Sequence, residues 1–125
     1  RHEQRTLEGK DTAAEVSDMT QAEQVAAFYM AKLGRLPTPY EARDILYEEI
    51  AELETAIYLE RPAADQLKEL ADVLYVCYGY AISKGWDLAR AFERVHDSNM
   101  TKAPATSGKI QKGDAYVPPD LGGCV

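Results

Sequence analysis

The fold is decided by one central stretch, residues 39–84, which reads PYEARDILYEEIAELETAIYLERPAADQLKELADVLYVCYGYAISK. Apolar residues recur in it every three to four positions, which is typical of amphipathic helices. Arg61-Pro62 interrupts the pattern, so the stretch predicts one helix over about 39–59 and another over about 63–84. Because the break between them is short, we expect these two helices to pack as antiparallel neighbours.

Each of the two predicted helices carries a pair of acids at a spacing of three residues. Glu49 and Glu52 share one face of the first helix, and Glu69 and Asp72 share one face of the second. Glu52 and Asp72 each lie about ten residues from the break, so the pairs are at similar heights. Carboxylates this close repel one another, and Mg²⁺ is a cation that prefers oxygen ligands. The alternative interpretation, two solvated acidic faces, stays open at this point.

Two more helices flank the central pair. Thr20 begins a capping box before the first of them, and Gly34 ends it. Asp87 is the predicted N-cap of the last helix, which we expect to end near Asn99. No stretch predicts a strand, so the sequence indicates an all-α, four-helix bundle.

The remaining segments are polar or rich in turn-forming residues. Residues 1–18 are predicted to be a polar N-terminal extension, and 19–125 a single helical domain. From about residue 101, glycines and prolines predict an extended C-terminal tail that follows the helices.

Composition excludes several classes of partner. The net charge is −7, which disfavours nucleic acid and anionic membrane surfaces. No apolar run approaches the length of a membrane span. Cys77 and Cys124 show no metal-binding or disulfide spacing, so a reduced, cytoplasmic location is expected.

Polar residues near the acid pairs and on the last helix suggest further roles. Glu48 is rotated about 100° from Glu49 along the helix, where it could hold a water molecule as general base or be an ordinary surface acid. Asn99 and Lys102 suit phosphate oxygens. Glu93 and His96 also match half of a di-iron carboxylate motif, but a second such half is missing.

Taken together, these motifs resemble those of a known family. EExxE at 48–52, ExxD at 69–72, the run 95–102 and the PPDL segment at 118–121 are similar to MazG-like all-α nucleoside triphosphate pyrophosphohydrolases. That superfamily includes dimeric dUTPases and phosphoribosyl-ATP pyrophosphohydrolases. The tail resembles that of small bacterial and phage members, which implies the cytoplasm of the bacterial host if the protein is phage-encoded. Ser107 stands where the family usually has an aspartate before the Gly-Lys pair of the tail.

The resemblance implies cleavage of a nucleoside triphosphate to the monophosphate and pyrophosphate. It implies two or three Mg²⁺ ions, replaceable by Mn²⁺, and a homodimer or homotetramer. Glu48 would then activate the attacking water. The implied metal ligands are Glu49, Glu52, Glu69 and Asp72, and the implied phosphate ligands are Asn99 and Lys102.

The resemblance also places the nucleobase between the first and third helices, or at a seam between subunits. Candidates to contact it are Gln21, Gln24, Phe28, Tyr75 and Tyr78, although core packing is the alternative role for all five. A purine such as dGTP or GTP and a pyrimidine such as dUTP or dCTP both stay open as substrates, and the aromatic candidates favour the purine. The competing functional hypothesis is an acidic helical interaction module without enzymatic activity.

Overall fold

The computed structural model describes residues 18–106 and 108–125, and within these ranges the regular structure is helical. Four α-helices follow one another, and a short 3₁₀ turn over Gly122–Cys124 closes the chain. The helices are α1 (Gln21–Lys32), α2 (Pro39–Tyr58), α3 (Ala63–Lys84) and α4 (Leu88–Asn99). The predicted all-α, four-helix fold is confirmed. The predicted extension over 1–18 and the departure at Ser107 lie outside the described residues, apart from Asp18.

The helix boundaries follow from capping chemistry. Thr20 and Thr38 each accept a hydrogen bond from the backbone of a glutamate three residues on, whose side chain accepts one in return. Gly85 ends α3 in the left-handed conformation, with φ of +75°. These boundaries match the predicted ones to within a residue or two.

The turn between α2 and α3 is a Schellman motif with an unusual residue in it. Glu60 takes a φ of +51°, where glycine is the ordinary choice. The amide of Glu60 donates to the carbonyl of Ile57, and the amide of Arg61 donates to that of Ala56. The chain therefore reverses in a few residues, and α2 and α3 run antiparallel.

The core of the described chain lies along α3, which packs against α2 and more narrowly against α1. Buried side chains include Val25 and Tyr29 of α1, Ala56 of α2 and Val76 of α3. A Cβ atom at Gly79 would lie 3.0 Å from the hydroxyl of Tyr29, so the absence of a side chain lets α1 and α3 approach closely.

Part of the apolar surface of α3 stays exposed within one chain. Leu67, Leu70 and Leu74 follow one another at helical spacing and are 66%, 53% and 49% exposed. The sequence is apolar on more than one side of this helix from Ala71 to Ala81, which predicts a helix that is central or at an interface, and within the single chain α3 is only partly covered. None of the described helices is both long and apolar enough to cross a membrane.

Helix α4 packs chiefly against the tail. The Ser98 hydroxyl donates to the carbonyl of Val117 at 2.7 Å, and the amide of Val117 donates to Thr101 Oγ1 at 2.9 Å. The amide of Asp87 donates to the carbonyl of Cys124 at 2.8 Å. The tail therefore returns along α4, and a cavity of about 540 Å³ lies between them.

Candidate metal and nucleotide site

Three of the predicted metal ligands converge. Glu49 lies on α2, and Glu69 and Asp72 lie one turn apart on α3. Each offers a carboxylate oxygen, and these oxygens lie within 4.8 Å of one another. The antiparallel packing of α2 against α3 produces this arrangement, because it brings the two acid-bearing faces to the same height.

Two of the carboxylate oxygens in this triad are buried without a hydrogen-bond partner in the described chain, Glu49 Oε1 and Glu69 Oε1. Buried oxygens are nearly always satisfied, so orphaned ones indicate a missing ligand. Burial raises the pKa of Glu49, and the negative charges of Glu52, Asp72 and Glu69 raise it further. Oxygen donors, surplus negative charge and unpartnered atoms together fit a hard divalent cation such as Mg²⁺.

The other two acids of the predicted site, Glu52 and Glu48, do not belong to the triad. Glu52 is exposed and lines, with Glu69 and Arg61, a cavity of about 270 Å³ beside the triad. Glu48 is also exposed, one residue before Glu49, so its carboxylate leaves α2 in a different direction. Glu52 therefore shares a cavity with a residue of the triad, whereas Glu48 is related to the triad only by its place next to Glu49 on α2.

Sequence reasoning assigned no role to two cations that the structure places at these acids. The ammonium of Lys68 lies 2.8 Å from Asp72 Oδ2 and 3.8 Å from Glu69 Oε2. A hydrogen bond to Asp72 and its negative charge raise the pKa of Lys68. The second cation is Arg61, in the wall of the neighbouring cavity. In the sequence, the i,i+4 spacing of Lys68 and Asp72 is the pattern from which this ion pair could have been predicted.

Four of the five candidate nucleobase contacts line one cavity between α1 and α3, of about 200 Å³. These are Gln21, Gln24, Tyr75 and Tyr78. Phe28 is the exception, because it lines a different cavity toward α2 and meets Tyr75 edge-on with ring centroids 5.6 Å apart.

The two predicted phosphate ligands line neither of these cavities. Asn99 is the exposed last residue of α4, and Lys102 is half-buried just beyond it. Neither lines the cavity of Glu52 and Glu69 or the cavity between α1 and α3. No described cavity of the single chain therefore joins them to the acids.

The structure offers no support for a di-iron site in the described residues. Glu93 and His96 belong to no cluster of potential metal ligands there, and the acid triad is the group that does form. The other histidine, His2, lies outside the described residues.

Comparison with known proteins identifies the family. The family model for phosphoribosyl-ATP pyrophosphohydrolase matches residues 12–99, more than two thirds of the chain and all of the acids described above. No curated protein gives a significant match. The match agrees with the helical fold and the acid pairs on adjacent helices. The chain therefore belongs to the phosphoribosyl-ATP pyrophosphohydrolase family, within the MazG-like all-α superfamily, and is a nucleotide pyrophosphohydrolase, a hydrolase acting on acid anhydrides.

Proposed function

We propose that this protein hydrolyses a nucleoside triphosphate, ribo or deoxy, to the monophosphate and pyrophosphate, using Mg²⁺ or Mn²⁺. The observation that carries the proposal is the triad of Glu49, Glu69 and Asp72, with two buried oxygens that no described group satisfies. These three residues would hold the cation, and Glu52 is placed to join them. A site with this many carboxylates has room for two or three ions.

The acids cannot receive a polyphosphate unaided, because like charges repel. A divalent cation, when bound, supplies neutralisation of the phosphate oxygens and stabilises the charge that develops on the leaving pyrophosphate. Glu48 is the proposed general base. Its carboxylate, exposed one residue before Glu49, would take the proton of the attacking water as the bond between phosphorus and the pyrophosphate oxygen breaks.

The cavity between α1 and α3 is the proposed nucleobase pocket. The amides of Gln21 and Gln24 can both donate and accept hydrogen bonds, as the edge of a base requires. Tyr75 and Tyr78 offer aromatic faces on the other wall. This combination supports a purine such as dGTP or GTP over a smaller pyrimidine.

We further propose that the working form is a homodimer or homotetramer. Leu67, Leu70 and Leu74 form an exposed apolar stripe along α3, and burial against another copy would remove it from water. Asn99 and Lys102 remain the proposed phosphate ligands, and an assembly is one way for them to reach a triphosphate. The net charge of −7 supports a small nucleotide rather than nucleic acid as the partner.

The proposal is tested by incubating the protein with a panel of ribonucleoside and deoxyribonucleoside triphosphates and with phosphoribosyl-ATP. Mg²⁺ or Mn²⁺ is added, and pyrophosphate and monophosphate are quantified. We expect the two products in equal amounts. Release of orthophosphate alone, or no turnover of any compound, would contradict the proposal.

A matched pair of variants assigns the activity to the triad. Glu69→Gln removes one ligand charge at nearly constant shape and should lower turnover by at least about 100-fold. Glu54→Gln removes an exposed charge from α2 away from the cluster and should leave turnover unchanged. Equal turnover in the two variants would show that the triad is not the site.

A further inference from the structure

Lys68 is the one residue that forms an ion pair with the proposed ligands within the described part of the chain. Its ammonium lies 2.8 Å from Asp72 Oδ2 and 3.8 Å from Glu69 Oε2. The remaining described ion pairs join Arg35 to Glu41 and Arg43 to Asp44, away from the triad. Lys68 therefore neutralises part of the triad before any divalent cation arrives.

The position that Lys68 takes conflicts with metal binding. An oxygen of Asp72 that coordinates a divalent cation would bring that cation close to the ammonium, and like charges repel. The Lys68 side chain is 66% exposed and has a flexible four-carbon stem, so it can leave without disturbing the core. Asp72 and Glu69 are 34% and 15% exposed, so they have less freedom to move than the lysine does.

We infer that Lys68 is an exchangeable counter-ion, which pairs with Asp72 and Glu69 in the metal-free protein and with the polyphosphate of the substrate in the loaded one. This inference rests on the proposed function, because it requires a divalent cation at the triad. A lysine ammonium binds phosphate as a compact point charge and needs no fixed geometry to do so. The same side chain thus opposes the cation and attracts the anion.

The inference predicts opposite effects on two ligands, measured without any turnover. In Lys68→Met, Mn²⁺ alone should bind tighter than in the wild-type protein, by about threefold, as expected for loss of an exposed competing ion pair. Inorganic tripolyphosphate, titrated at saturating Mn²⁺, should bind more weakly by a similar factor. Isothermal titration calorimetry measures both, and electron paramagnetic resonance of free Mn²⁺ checks the first.

Two control variants keep the interpretation specific. Lys68→Arg retains the charge and should stay close to wild type for both ligands. Lys84→Met removes a lysine from the other end of α3, where the ammonium lies 5.4 Å from the centre of the Trp86 ring, and should change neither affinity. Far-ultraviolet circular dichroism establishes that each variant is folded.

The outcomes separate the inference from the proposed function. Absence of Mn²⁺ binding by the wild-type protein would overturn both, since there would be no cation for Lys68 to oppose. If the wild-type protein binds Mn²⁺ and Lys68→Met binds it no tighter, the inference alone is overturned. The inference is likewise overturned if the variant binds tripolyphosphate as well as the wild type does.

Discussion

Replacing Glu49 by glutamine should make the metal-free protein more stable while destroying its response to Mg²⁺. Glu49 is half-buried, and its carboxylate faces those of Glu69 and Asp72 within 4.8 Å. Two charges at that distance repel by about 0.9 kcal/mol in water and by about 3.5 kcal/mol at an effective dielectric constant of 20. The ammonium of Lys68 offsets part of this repulsion. We therefore expect Glu49→Gln to raise the free energy of unfolding by about 1–2 kcal/mol.

The glutamine amide adds to this gain because it can donate hydrogen bonds to the carboxylates it faces, which a glutamate cannot do. A bound cation should reverse the order of stability of the two proteins. Mg²⁺ at a hundredfold excess over its dissociation constant should add about 2.7 kcal/mol to the wild-type protein. The variant, which lacks one ligand charge, should gain little. Wild type and variant should therefore exchange order when Mg²⁺ is added.

Urea denaturation followed by circular dichroism, with and without millimolar Mg²⁺, measures both effects. Glu54→Gln, an exposed acid on the same helix, is the control and should behave as wild type in both conditions. If Glu49→Gln is less stable than wild type without Mg²⁺, the argument from repulsion is wrong. If Mg²⁺ stabilises this variant as much as the wild type, Glu49 is not a ligand.

Two further predictions concern the helices around the site. Arg35 and the capping bonds lower the pKa of Glu41 to about 2, so the stability that Glu41 gives is present above its ordinary pKa and is lost as the pH falls toward 2. The midpoint of urea denaturation should therefore depend less on pH in Glu41→Gln than in the wild-type protein. Glu23→Gln is the control, because Glu23 forms the same kind of capping box but no described ion pair, and its pH dependence should fall by less. Equal losses in the two variants would rule out the Arg35 contribution. Ser98→Ala should cost about 1–2 kcal/mol and expose residues near 117 to proteolysis, because a buried hydroxyl that holds the tail is removed. Ser83→Ala, which removes a bond within α3, should leave tail proteolysis unchanged, and equal cleavage of both variants would contradict this role for Ser98.

The helix boundaries were predictable because the signals that set them are local. Thr38-Pro39 with Glu41 specifies a helix start through bonds that span three residues. Gly85 specifies an end through its own backbone conformation. The pairing of the acids was also predictable, because the short turn at Pro62 leaves α2 and α3 few ways to pack.

What the sequence did not predict depends on contacts between distant residues. Apolar periodicity predicted that α3 is an amphipathic helix, but it did not predict whether this chain alone covers Leu70. The aromatic character of Phe28 did not say which of two cavities it lines. The hydrogen bond between Ser98 and Val117 spans 19 residues of irregular chain, for which no local pattern exists.

Hydrogen bonds between the tail and α4 join the two ends of the segment that runs from Asp87 to the C-terminal residues, so that its described part forms a closed loop. Its ends meet where the amide of Asp87 donates to Cys124, and Ser98 fastens its middle. The pair α2–α3 is held instead by its own extensive helix packing. In native-state hydrogen exchange, the two parts should therefore open as separate cooperative units. Since the triad lies on the helix pair and Lys102 lies on the loop, opening of the loop would remove a proposed phosphate ligand while leaving the carboxylates in place.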